Sequence, residues 1–191
     1  GHADPAIAAA IGRQALQLEQ VIFANFSHAP AEQLATRLAA LSGLERLFFS
    51  DNGSTAVEVA LKIAWQWWRN QGSNRQQIIA FEGAYHGDTF GAMAVGDRSI
   101  FTAPYEELLF DVARISWPHT HWGDDSVDVR EAQALLELEQ ALATPTAAVI
   151  MEPLIQGASG MHMVRPSFLR AVQERVRSCS ALLIADEVMT G

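Results

Sequence analysis

Lysine is almost missing from this chain. Of its 13 lysine and arginine side chains, only Lys62 is a lysine. A phosphate-binding P-loop needs a lysine directly after G-x-x-x-x-G. Lys62 lies in ALKIAW with no glycine just before it. The apolar run ending in Asp186-Glu187 imitates the Walker B half of a P-loop ATPase, but the other half is lacking. Cysteine is equally scarce. Cys179 stands alone, so there is no internal disulfide framework, and a reducing compartment such as the cytoplasm is expected. It reads as a small filler at a helix end. Positive charge is in deficit, with a net charge of −9 and the acidic residues scattered. That argues against nucleic acid and anionic membranes as partners. No apolar run approaches the ~20 residues of a membrane span. The opening GHADPAIAAAIGRQ lacks the basic and long apolar regions of a signal peptide. There is no G-x-S-x-G, so Ser54, His86 and Asp186 gain no support as a hydrolytic triad, and no G-x-G-x-x-G follows a strand.

What is present is an alternation of helical patterns and short apolar runs. Helical spacing covers 5–20, 31–41, 55–70, 129–143 and 167–178, with a short helix over 89–95 and Gly72 ending the third. Strands are expected at RLFFS (46–50), QIIAF (77–81), FDVARI (110–115), AAVIM (147–151) and ALLIAD (181–186). Strands that are apolar throughout, with helices between them, predict an α/β fold with a mostly parallel sheet covered on both faces. Ligands in such sheets sit beyond the carboxyl ends of the strands. The segments there are SDNGST (50–55), EGAYHGD (82–88), EPLIQGASG (152–160) and DEVMTG (186–191).

Each segment has two readings. In SDNGST, Gly53 and Ser54 open a helix whose first amides can cradle a phosphate. The same residues are equally an ordinary N-cap, with Asp51, Asn52 or Ser54 as the cap. In EGAYHGD, Tyr85 can stack on a flat ligand and His86 can bond to it, or the loop is a tight turn with a half-buried tyrosine. Asp186 ends a buried strand, a costly place for a carboxylate unless a cation meets it. That cation is either Mg²⁺ or a protonated heterocyclic nitrogen. His119, His121, Asp124 and Asp125 could take up a metal, but their loop composition predicts a solvated turn, and no metal site is expected.

Together, DNGST, GAYHGDTFGAM, EPLIQGASGM and LLIADEVMTG resemble, in order and rough spacing, the class III (fold type I) pyridoxal-phosphate-dependent aminotransferases. The wording GAYHGDTFGAMAVGD and the early segment FANFSHAPAEQLATRLA are most similar to the biotin-pathway branch of that family. The resemblance implies a three-layer fold type I large domain and pyridoxal 5′-phosphate as cofactor. It implies that Gly53 and Ser54 hold the phosphate, that Tyr85 stacks on the ring and borders the substrate, and that Val188 packs on the other ring face. It also implies that Asp186 pairs with the pyridine nitrogen, that Glu152 holds neighbouring polar groups, and that His86 orients its loop. The implied reaction moves the amino group of S-adenosylmethionine to 8-amino-7-oxononanoate, giving 7,8-diaminononanoate. The rival within the family acts on ornithine, 4-aminobutyrate or similar amines. A noncatalytic binding protein is a further alternative.

The family needs a lysine that forms a Schiff base with the cofactor. In the family it lies downstream of the strand bearing Asp186, and Lys62, several turns into a helix, reads as a surface residue. The expectation is therefore an internal fragment. Residues 1–30 would be a helical segment leading into a partial cofactor-binding domain at 31–191, with the lysine beyond Gly191 and the small domain absent. Such a fragment is expected to be inactive and poorly stable alone, with Trp65, Trp67 and Trp68 uncovered. The longer enzyme is expected to be a homodimer.

Overall fold

A computed structural model describes residues 2–191. Gly1, the first residue of the expected 1–30 segment, lies outside the described residues. The chain divides into two compact units, one ending at Phe49 and one spanning Ser50–Gly191. Residue 30, the end of the expected first segment, falls within a helix.

In the first unit, Asp4 caps α1 (Pro5–Ala15) by accepting from the amides of Ala6 and Ile7 at 2.8 and 3.1 Å, with proline at the first helical position. The helix stops short of residue 20. His28 caps α2 (Ala29–Ser42), its Nδ1 accepting from Ala31 N–H at 3.2 Å. No residue of α1 is buried. The segment 46–50 forms no strand. Its apolar content finds other uses: Phe49 stacks on Phe23 with ring centres 5.5 Å apart.

The second unit opens with α3 (Gly53–Asn70) and continues through β1 (Gln77–Phe81), α4 (Phe90–Val95), a 3₁₀ turn at Ala103–Leu108 and β2 (Ala113–Ile115). Then come α5 (Val127–Leu142), β3 (Thr146–Met151), a short pair β4 (Ile155–Gln156) and β5 (His162–Met163), α6 (Pro166–Ser178) and β6 (Leu182–Ala185). The main sheet has the order β2-β1-β3-β6 and every pairing in it is parallel. The short hairpin β4–β5 is antiparallel and was not anticipated from the sequence.

Alternation along the strands sorts the core into two layers. Ile79, Phe81, Val149 and Met151 point to one side, where Leu138 of α5 and Phe168, Val172 and Val176 of α6 cover them. Ile78, Ala80, Ala148 and Ile150 point to the other, against Val57, Leu61 and Ala64 of α3 and Ala92 and Val95 of α4. α3, α5 and α6 each bury residues three or four apart, one stripe of a 3.6-residue period, while the short α4 is buried throughout Gly91–Val95. The register between β1 and β3 slips at Gln77–Ile78, which sets Ala147 outside the ladder. Its carbonyl accepts from Trp68 Nε1 at 2.8 Å, and the Arg75 guanidinium lies over the Trp68 ring at 4.7 Å. Trp68 is therefore half-buried and partnered, contrary to the expectation for it, whereas Trp65 and Trp67 are exposed.

The loop expected to be a solvated turn is more ordered than that. The Asp124 side chain is 4% exposed and pairs with Arg130. It also accepts from Ser126 N–H at 3.1 Å and from the Thr120 hydroxyl at 3.2 Å. Burial alone would raise its carboxyl, but these donors, Arg130 first, hold it well below the usual carboxylate range. His119 stacks on His162 with ring centres 4.8 Å apart. Among the described residues no three metal-ligating side chains converge, and no helix is long and apolar enough to cross a membrane.

Candidate functional site

The strand order changes direction between β1 and β3, since the chain passes from β1 outward to β2 and then back across to β3. Crevices at such switch points, beyond the carboxyl ends of the strands, are where open α/β sheets take ligands. The segments that follow β1, β3 and β6 all meet there, joined by the N-terminus of α3. They enclose a cavity of about 710 Å³. Gly53, Ser54, Tyr85, Glu152, Asp186 and Val188 all line it, as does His86.

At one end is the start of α3. Asn52 is the cap, its side chain accepting from Thr55 N–H at 3.0 Å while the Thr55 hydroxyl accepts from Asn52 N–H at 3.1 Å. This reciprocal capping box settles which residue caps the helix. It satisfies Thr55 and leaves the amides of Gly53 and Ser54 with no acceptor among the described residues. The Ser54 hydroxyl lies 2.8 Å from that of Thr89 and accepts from Thr89 N–H at 3.0 Å. Cap and anion cradle are thus compatible here, one donor being used and two left over.

At the other end is Asp186, the first residue after β6, whose amide still donates to Met151 O at 2.9 Å. Its side chain is 8% exposed. Oδ2 lies 2.7 Å from His86 Nδ1, and Oδ1 accepts from Val188 N–H at 3.2 Å. The His86 side chain is wholly buried, and its Nε2 has no partner among the described residues. The sequence offered His86 as a ligand-bonding side chain, and the family resemblance implied that it orients its loop. The structure ties it to the carboxyl of another segment.

Between these ends stands Tyr85, half exposed on the cavity wall. Its hydroxyl donates to Asp88 Oδ2 at 3.0 Å. That hydrogen bond, then burial and the charge of Asp88, push the phenol above its ordinary value of 10.0. Glu152, just past β3, is 6% exposed. Its two oxygens accept from Tyr85 N–H at 3.2 Å and Gly157 N–H at 3.0 Å, so one carboxyl fastens the Tyr85 loop to the segment after β3. Val188 packs beside the α3 N-terminus, where a Cβ on Gly53 would come within 2.8 Å of its Cγ2. Lys62 is exposed and lies outside this cavity. Asp88 and Thr89 were not singled out from the sequence. Asp88 closes the polar run at 82–88, and Thr89 opens the expected short helix at 89–95.

Comparison with known proteins bears on the family of the chain. The family described as aminotransferase class III matches residues 1–191. The chain is 59% identical to the adenosylmethionine-8-amino-7-oxononanoate aminotransferase of Synechococcus elongatus, over all of this chain and 46% of that protein. It is 40% identical to the enzyme of the same name from Anoxybacillus flavithermus, covering 44% of it. The chain therefore spans somewhat under half the length of these curated relatives. Among solved structures, the adenosylmethionine-8-amino-7-oxononanoate aminotransferase of Methanocaldococcus jannaschii superposes with a TM-score of 0.88 at 28% identity, over 100% of this chain and 42% of that one. A PLP-bound amine transaminase from an uncultivated Pseudomonas species gives 0.90 at 31% identity, over 100% and 46%. The chain belongs to the class III aminotransferase family.

Proposed function

We propose that these residues form the cofactor-holding part of a pyridoxal-phosphate-dependent aminotransferase that moves an amino group from S-adenosylmethionine to 8-amino-7-oxononanoate. The observation that carries this reading is a single cavity with two uncommitted amides of a helix N-terminus at one end and a buried carboxyl at the other. A ligand that fits has an anionic group, a flat body and a cationic or protonated nitrogen, in that order. Pyridoxal phosphate has all three.

When bound, pyridoxal phosphate supplies an electron sink for the negative charge that develops at the substrate carbon. The chain's own residues bind and orient. Gly53 and Ser54 offer two amides and a hydroxyl to the phosphate. Asp186, held on both oxygens, presents its carboxyl to the ring nitrogen and favours the protonated form. Tyr85 and Val188 supply the two walls against which the ring lies, and Tyr85 borders the substrate. Glu152 holds the Tyr85 backbone at its station. The reacting lysine is not Lys62, which stands outside the cavity. The same reading includes a homodimer and a cytoplasmic location.

The choice of substrates follows the high identity to enzymes named for this reaction. The test is an assay of the full-length protein with 8-amino-7-oxononanoate as acceptor. Turnover with S-adenosylmethionine is expected. Turnover with ω-amino donors alone would move the enzyme to another branch of the family, and failure to retain pyridoxal phosphate would sink the reading altogether.

A further inference from the structure

The first turn of α4 has its amides satisfied from elsewhere in the fold. Thr89 occupies the N-cap position but makes no side-chain cap, because its hydroxyl is engaged with Ser54. The donors that a cap normally takes, Gly91 N–H and Ala92 N–H, instead both reach Oε1 of Glu58 in α3, at 2.6 and 3.3 Å. Ser54 and Glu58 are four apart and share one face of α3. Gly87 and Gly91 are also four apart, and they face the same pair. A Cβ on Gly87 would lie 2.4 Å from Ser54 Cβ, and one on Gly91 would lie 2.3 Å from Glu58 Oε2. Two polar side chains thus fit against two missing side chains. Tyr85 and His86 lie just before Gly87 on the same segment.

We propose that Glu58 is a positioning residue which, together with Ser54 one turn earlier, clamps residues 87–92 onto α3 and so sets the spacing between the phosphate end and the ring end of the site. The proposal rests on the pyridoxal-phosphate reading above. Glu58 is not among the residues lining the cavity. Its effect passes through the loop: the helix that supplies the phosphate amides also holds, by Glu58, the segment that supplies the ring wall. Loss of Glu58 leaves the phosphate cradle intact and lets the ring wall drift.

The test separates the two ends. Apo full-length protein is titrated with pyridoxamine 5′-phosphate, which cannot form a Schiff base with lysine, and separately with inorganic phosphate. In Glu58→Ala, affinity for pyridoxamine 5′-phosphate is expected to fall about tenfold, the scale of a lost hydrogen-bonded cap, while phosphate affinity changes less than about twofold. Glu58→Gln keeps an acceptor oxygen and is expected to stay within about threefold of the parent. Gly91→Ala pushes the same carboxyl aside and is expected to copy Glu58→Ala, with little added effect when the two are combined. Unchanged pyridoxamine phosphate binding in Glu58→Ala, or equal losses for both ligands, overturns the proposal. If Glu58→Ala gives no cooperative melt, Gly91→Ala decides by the same two titrations. A parent protein that binds phosphate but not pyridoxamine 5′-phosphate overturns the cofactor reading and this proposal with it, whereas a variant that binds like a binding-competent parent overturns the proposal alone.

Discussion

The two sides of the main sheet differ in the size of what they bury. Under α5 and α6 lie three aromatic rings, Phe81, Trp117 and Phe168, packed edge to face with centres 5.4 to 6.3 Å apart. Under α3 and α4 there is no buried ring, and five of the ten core residues are alanine: Ala64, Ala80, Ala92, Ala147 and Ala148. Large residues make a thick layer that removes much apolar area from water. Small ones let a helix ride close to the strands. It is the close side that supplies the α3 N-terminus and the Tyr85–Thr89 loop to the cavity. The contrast predicts that the thick side contributes mainly stability and that the thin side sets the dimensions of the site.

That contrast can be broken by substitution. Phe168→Ala empties the centre of the aromatic layer, where Phe168 is 1% exposed. It is expected to cost ~3–5 kcal/mol by urea unfolding while leaving the affinity of the folded protein for pyridoxamine 5′-phosphate unchanged. Equal damage to that affinity would mean the two layers are not separable. Ala80→Leu overfills the thin side, where Ala80 is wholly buried. The expected stability loss is smaller, ~1–3 kcal/mol, yet cofactor affinity is expected to drop because α3 and α4 must back away from the strands. Retained affinity would deny the thin layer its dimensional role.

The smallest effect concerns the loop that the thin side holds. Tyr85 gives its proton to Asp88 in a hydrogen bond, so the folded state binds that proton more tightly than the unfolded chain does. This contribution to stability is complete below the ordinary phenol value of 10.0 and is lost as pH rises through the higher folded value. Asp88→Asn removes the charge and is expected to bring the Tyr85 titration, followed by ultraviolet absorbance, back toward 10.0. No movement would show that Asp88 does not govern it.

Much of this was legible in the residues. QIIAF and AAVIM became β1 and β3 because strands buried on both faces need apolar side chains at every position. RLFFS carries the same local signal and forms no strand, since apolar content cannot supply a pairing partner. The hairpin of β4 and β5 has two residues in each strand, too few for any period to register. The six expected site residues come together on one cavity because the segments after parallel strands share an edge of the sheet. What holds them was out of reach. Gly87 read as a turn glycine and Gly91 as part of the short helix at 89–95, but their missing side chains answer to Ser54 and Glu58, which are 33 positions earlier in each pair and visible only in three dimensions. His86 likewise meets Asp186 across 100 residues.

That last pair has a consequence in time as well as space. The His86 side chain is buried, and the proton between its Nδ1 and Asp186 Oδ2 is shielded from bulk water by the fold around it. Its replacement by deuterium is expected to quicken with each lifting of the loop from Tyr85 to Thr89. The rate of isotope exchange at this one position is therefore a clock for how often the ring end of the site comes open.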